Sequence, residues 1–248
     1  MNSSNFESIQ LDEMNSVTLL NRNDTKFVFN ENKLDDILKQ LEPSYRLLNI
    51  NSINKFSYEN TYFDTDDFHF YMQHHNENRN RYKVRFRKYS PTNACFFEIK
   101  TKNNKNRTIK KRFKINSSQY TLGEKENQMI TDLTKVSPKL LTSQLKVNFT
   151  RMTLVNKRLN ERLTIDTGLN VENGTTSKMF ENLVITEIKQ NKYNPKSDFI
   201  QILRSLRIPE MRFSKYCMGM LHVNKNIKYN RFKPKLIQIN KMLTQPQQ

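Results

Sequence analysis

The sequence has no apolar run approaching the ~20 residues that a membrane-crossing helix needs, and residues 1–17 have neither the basic start nor the apolar centre of a secretory leader. It holds only two cysteines, Cys95 and Cys217, far apart and without the spacing of a metal site. A reduced cytoplasmic protein is the expectation, with peripheral membrane association compatible with it. No Pro/Gly/Ser-rich linker divides the 248 residues, so one domain with short tails is expected: an extension over 1–20, a domain over 21–228, and a basic, poorly ordered tail over 229–248. Acidic residues are scarce as well. There are 24 Asp and Glu against 42 Lys and Arg, a formal charge of +18, and that balance favours an anionic partner.

What is present is alternation. In residues 81–89, Arg81, Lys83, Arg85 and Arg87 alternate with Tyr82, Val84 and Phe86, so a strand there is cationic on one face. Glu98, Lys100 and Lys102 alternate with Phe97, Ile99 and Thr101, and Lys110, Arg112 and Lys114 follow in the same way. Solvent faces usually mix charges, because two like charges ~7 Å apart cost roughly 2 kcal/mol at an effective dielectric near 20. Three adjacent cationic faces therefore suggest a surface that holds a polyanion. Read singly, Arg85 and Arg87 are ordinary exposed strand residues, and Glu98 with Lys100 is an ordinary ion pair.

Elsewhere the pattern predicts strands over 25–29, 58–64, 148–155, 158–166 and 183–190. Helices are expected over 32–41, 198–206 and after Ser214, with a long helical stretch over 118–146 broken at Pro138. The fold class is α+β around an antiparallel sheet. Curling of that sheet with Arg151, Arg162, Glu187 and Lys189 facing inward would make a phosphate-binding channel with acidic positions for a metal. His74 and His75 are read as a surface turn, and Tyr62, Phe63 and Tyr71 as core. No Ser/His/Asp arrangement is visible.

Nine motifs in order then resemble the VTC domain, the polyphosphate polymerase domain of the vacuolar transporter chaperone complex, within the triphosphate tunnel metalloenzyme fold. They are RNDTKF at 22–27, YFDTDDFHFY at 62–71, KVRFR at 83–87, FFEIK at 96–100, IKKRF at 109–113, FTR at 149–151, ERLTIDT at 161–167, ITEIK at 185–189 and RFSKY at 212–216. The resemblance implies an eight-stranded antiparallel β-barrel forming a tunnel, flanked by helices. It implies transfer of the terminal phosphoryl group of ATP to a growing polyphosphate chain, assisted by a divalent cation, manganese or magnesium.

Carried over by motif, Arg85, Arg87, Lys100, Arg151 and Lys189 are the expected catalytic cations. Arg22, Lys26, Lys110, Arg112, Arg162, Arg212 and Lys215 are expected to bind substrate phosphates, and Glu187 to bind the metal. Glu98 is a second metal candidate, because it precedes Lys100 as Glu187 precedes Lys189. Arg212 stands where the family carries a lysine. The sequence lacks the amino-terminal ExExK signature of the CYTH branch, which argues against an adenylate cyclase or thiamine triphosphatase, and it shows neither an SPX domain nor a membrane segment. A separately encoded membrane partner is compatible with the reading. The competing readings are a tunnel triphosphatase, a non-catalytic polyphosphate-binding subunit and a nucleic-acid-binding module; alternation of the aromatics away from the cations disfavours the last.

Overall fold

The computed structural model of the protein describes residues 5–16, 22–90, 92–104, 107–116 and 120–244. The rest of the expected extension, the last four residues of the tail, and residues 118–119 of the expected helical stretch lie outside the described residues. In chain order the elements are β1 (Glu7–Ile9), β2 (Asn23–Asn30), α1 (Leu34–Leu41), β3 (Tyr45–Leu48), β4 (Phe56–Thr65), α2 (His69–His75), β5 (Arg81–Tyr89), β6 (Ala94–Lys102) and β7 (Thr108–Ile115). Then come α3 (Glu124–Thr134), β8 (Leu141–Asn156), β9 (Glu161–Glu172), β10 (Ser177–Met179), β11 (Leu183–Gln190), α4 (Asp198–Ser205), α5 (Lys215–Val223) and α6 (Lys233–Thr244). Among the described residues no helix is long and apolar enough to cross a membrane.

Eight strands form one continuous path in the order β2-β11-β9-β8-β4-β5-β6-β7, antiparallel at every step. β3 adds to β8, β1 runs parallel to β3, and β10 pairs with β9. The architecture is the expected α+β antiparallel sheet with flanking helices. The path ends at β2 and β7, which are not paired with each other among the described residues, so the sheet curls without hydrogen-bonded closure.

Strand alternation assigns the two faces. The outward apolar residues of β5 and β6, Val84, Phe86, Phe97 and Ile99, are buried under α3 through Ile130, with Tyr82 and Phe113 packed beside them. A second cluster joins Phe27, Phe29, Leu163 and Ile165 to α1 and α4 through Ile37, Leu41, Phe199 and Leu203. A third sets α5 against Leu145, Val147 and Val171. Gly219 of α5 is close-packed: a Cβ there would lie 2.7 Å from a Leu145 methyl. Each helix covers an apolar outer face, which leaves the charged faces of the strands to point inward.

Three expectations change. Residues 141–147 are the first half of β8, not helix. Leu141, Leu145 and Leu140 suit a helical stripe, but pairing with β4 and β9 selects the two-residue period that buries Leu145, Val147 and Phe149. The tail expected to be poorly ordered contains α6, whose Leu236, Ile239 and Leu243 recur at helical spacing and pack into the cluster under α5. His74 and His75 lie on α2 and not on a surface turn: His75 is buried, and the His74 ring pairs with the Tyr82 carbonyl at 3.0 Å.

Candidate functional site

All eight strands of the path contribute side chains to a single cavity of about 1320 Å³. Its wall carries Arg22, Arg85, Arg87, Lys100, Lys102, Arg107, Lys110, Arg112, Arg151, Arg162, Lys189 and Arg212, against one aspartate, Asp24. Ten of the twelve cations expected from sequence to bind phosphate are therefore brought together. Lys102 and Arg107 are additions, and Lys102 already belonged to the alternating run. Arg81 and Lys83, earlier in the run, turn elsewhere: Arg81 donates to the Asn78 carbonyl and Lys83 to Ser214 Oγ, both at 2.8 Å.

One wall is organised by Glu98, whose side chain is 0% exposed. Opposite it in the β5–β6 ladder, Arg85 donates Nε and Nη2 to the same Oε2 at 2.9 and 2.5 Å, and Nη1 to Tyr62 Oη at 2.8 Å. Lys110 Nζ is 3.4 Å from Oε1, Arg112 3.9 Å from Oε1 and Arg87 4.0 Å from Oε2. Arg87 also donates to Asn60 Oδ1 at 2.8 Å, and the Arg112 guanidinium lies 4.6 Å from the Phe96 ring centroid. Burial alone would raise the Glu98 carboxyl, but Arg85 and then Arg87 hold it below the usual carboxylate range. Glu98, expected as a second metal ligand, is thus the common anchor of four cations.

The opposite wall repeats the device around Asp166, which sequence reasoning did not single out. Arg151, its ladder partner across β8 and β9, makes a bidentate pair with it at 2.5 and 2.7 Å. Lys215, at the start of α5, donates to the second oxygen and sits 4.4 Å from the Phe149 ring centroid. Burial would raise the Asp166 carboxyl, but Arg151 and Lys215 hold it low. Lys215, expected to bind phosphate, shares Asp166 with Arg151. The alternation of Arg162, Thr164 and Asp166 was legible; its cross-strand partner was not.

Glu187 lies across the β2–β11 ladder from Lys26, and its two oxygens contact Lys26 and Lys189. Its side chain is 19% exposed, so this carboxylate, unlike Glu98, can be reached. Burial pulls Lys189 well below its ordinary range, with Asp24 acting against that shift. Burial and then Lys215 pull Lys26 down too, to about 7, and Asp166 opposes them. Arg22 pairs with Asp24 at 2.9 Å at the start of β2.

Four further cations lack such partners. Among the described residues, Lys100, Lys102, Arg162 and Arg212 have no carboxylate within ion-pair distance. Lys100 pairs across the sheet with Lys83 on one side and Lys110 on the other. Burial, then Arg85 and Arg87, pull its ammonium well below the ordinary lysine range. A site with this excess of fixed positive charge is strained when empty and relieved by a polyanion.

The VTC domain family model matches residues 21–224 of the chain. No curated protein matches it in sequence. Among solved structures, a protein from Hippeastrum, named for adenylyl cyclase and described as having a dominant triphosphatase activity, is similar with a TM-score of 0.52 and 13% identity. That match covers 82% of this chain and 97% of the other. A protein from Bacillus halodurans, also named for adenylate cyclase, is similar with a TM-score of 0.52 and 14% identity over 79% of this chain and 96% of the other. These likenesses establish the shared tunnel fold.

Proposed function

Since the chain belongs to the VTC domain family, we propose that it is a polyphosphate polymerase, moving the terminal phosphoryl group of ATP onto the end of a phosphate chain and releasing ADP. The observation that carries this reading is the convergence of cations from all eight strands on one cavity, several without a carboxylate partner. A linear polyanion with a charge every few ångströms complements such a lining. Tyr82, Phe86, Phe97 and Phe113 lie on the other side of the sheet in the core, away from the cations, which disfavours a nucleic-acid-binding surface on that face.

The protein's part in the reaction is positioning and charge neutralisation. The terminal phosphate of the acceptor chain is already an anionic nucleophile, so its oxygen attacks the γ-phosphorus as the bond to the β-bridging oxygen breaks, without a general base. Arg85, Arg87 and Arg151 are pre-oriented by Glu98, Asn60 and Asp166, and fixed donors of this kind stabilise charge as it develops on the transferring group. Lys100 and Lys189 add point charge from neighbouring strands.

Among the described residues no cluster of three or more His, Cys, Asp or Glu could cage a metal ion. The donor set fits a divalent cation that arrives on the substrate phosphates with one protein carboxylate, the usual arrangement for magnesium-type ions at nucleotide sites. Glu187 would hold it, and the ion would supply Lewis-acid charge to the phosphate groups. Asp24 lines the same cavity from the adjacent strand.

The test is stoichiometry. With ATP and manganese, transfer gives ADP without matching orthophosphate, and Lys100→Ala slows ADP release by roughly a hundredfold, the scale of losing one fixed donor to a developing charge. Equal release of ADP and orthophosphate would assign a tunnel triphosphatase instead. Binding of polyphosphate without ADP release would assign a non-catalytic subunit.

A further inference from the structure

Three consecutive residues at the start of α5 each bond to a different strand. Ser214 Oγ accepts from Lys83 of β5 at 2.8 Å, Lys215 donates to Asp166 of β9, and the Tyr216 hydroxyl donates to Asp64 of β4. We infer that Asp64 and Tyr216 are positioning residues: their hydrogen bond fixes the start of α5, so that Lys215 stays on Asp166 and the charge of Arg151 is left to the substrate phosphates. The inference rests on the proposed function and adds to it two residues outside the lining of the cavity.

Asp64 is fully buried and holds three elements at once. Its Oδ1 accepts from the Thr65 and Phe70 amides at 2.8 Å, and its Oδ2 accepts from the Tyr71 amide at 2.9 Å and from the Tyr216 hydroxyl. One carboxylate therefore ends β4, fixes the start of α2 and still takes a donor from α5. Tyr216 is buried too; burial and then Asp64 hold its phenol well above the ordinary range, so the hydroxyl keeps its proton and remains the donor. The Tyr216 ring lies 5.0 Å from that of Tyr62, whose Oη accepts from Arg85 Nη1 at 2.8 Å. Tyr216 thus stands between the wall anchored by Glu98 and the wall anchored by Asp166. A tyrosine has fewer side-chain torsions than a lysine, so the bond to Asp64 constrains the first turn of α5 more tightly than the Lys215 pair does.

The consequence reaches the cavity through Asp166. Arg151 Nη2 lies 2.7 Å from Asp166 Oδ2, and Lys215 donates to the same oxygen. With Lys215 in place, two cations face one carboxylate, and the Arg151 guanidinium, which lines the cavity, keeps positive charge to offer an anion. If the start of α5 moves, Lys215 leaves, and Arg151 and Asp166 neutralise each other. The site then loses a charge although every lining residue is still present. Displacements of ~1 Å far from the reacting atoms can cost up to about a hundredfold in rate. Asp64 lies in YFDTDDFHFY and Tyr216 closes RFSKY, and of these two motifs only Arg212 and Lys215 were expected at the site.

The experiment is a double-mutant cycle read by calorimetric titration with inorganic tripolyphosphate in EDTA, so that turnover is not required. Tyr216→Phe keeps the ring beside Tyr62 and the amide bonds of Asp64, and removes only the link from Asp64 to α5. It is made in the full chain and in a Lys215→Met background, with Asp64→Asn as a second variant and thermal unfolding to confirm folding. The expected result is binding weakened roughly tenfold by either variant in the wild-type background and by less than about twofold in the Lys215→Met background, as for members of one network. Equal losses in the two backgrounds, or no loss from either folded variant, overturn the positioning role and leave Asp64 and Tyr216 as a structural clasp. Wild-type protein that binds tripolyphosphate but releases no ADP from ATP overturns the proposed function and leaves the cycle readable. Failure of wild-type protein to bind tripolyphosphate overturns both.

Discussion

Arg85 and Glu98 face each other across the β5–β6 ladder and share two hydrogen bonds to one carboxylate oxygen, at 2.9 and 2.5 Å, in the interior of the sheet. That single carboxylate holds Arg85 while Arg87, Lys110 and Arg112 lie within 4.0 Å of it. Removing one partner of a buried pair leaves an uncompensated charge, which costs about 3–5 kcal/mol. Glu98→Gln should lower stability in urea unfolding by that amount, with the manganese requirement of turnover unchanged. A shifted manganese requirement with unaltered stability would restore Glu98 as a metal ligand.

Lys100 gives the site a pH dependence. Burial and its arginine neighbours depress its pKa in the empty protein below the 10.5 of the unfolded chain. Between the depressed value and 10.5 the unfolded state binds more protons, so empty protein gains stability as pH rises through that window. A bound polyanion favours the charged ammonium, so binding takes up a proton and affinity falls as pH rises. Lys100→Arg keeps its charge throughout, and its affinity for tripolyphosphate should vary less with pH than that of wild type. Parallel profiles for the two proteins would contradict this role.

Asp166 gives stability the same sign of pH dependence in an acid window. Its folded pKa is depressed by Arg151 and Lys215, so its contribution is complete above the ordinary aspartate value of ~3.9 and is lost as pH falls toward the folded value. Asp166→Asn should be less stable than wild type at neutral pH and lose less stability between pH ~4 and the acid limit, as followed by circular dichroism.

Glu187 separates binding from chemistry. Its substitution by Gln removes the reachable carboxylate but none of the cations lining the cavity. Glu187→Gln should bind tripolyphosphate in EDTA at least as tightly as wild type, yet lose most metal-dependent ADP release. Equal loss of both would make Glu187 an anchor for Lys26 and Lys189 instead.

The cationic face of β5 was legible because a strand writes its two faces directly into the sequence, as Arg85 and Arg87 do against Val84 and Phe86. The difference between Glu98 and Glu187 was not. Both stand two residues before a lysine on an inward face, and only the ladders distinguish them: Glu98 has Arg85 and Arg112 as neighbours, whereas Glu187 has Lys26 and Thr164. Register across strands is a tertiary property that no single segment carries. The same holds for Asp166 opposite Arg151, and for the 141–147 segment, whose leucines suit helix and strand alike until β4 and β9 flank it.

Chain growth tests the central claim most directly. Purified protein is incubated with ATP and manganese, and the products are resolved on a polyacrylamide gel stained for polyphosphate. A ladder of chains that lengthens with time, absent from Lys100→Ala, is the predicted result; orthophosphate accumulating without any chain would contradict it.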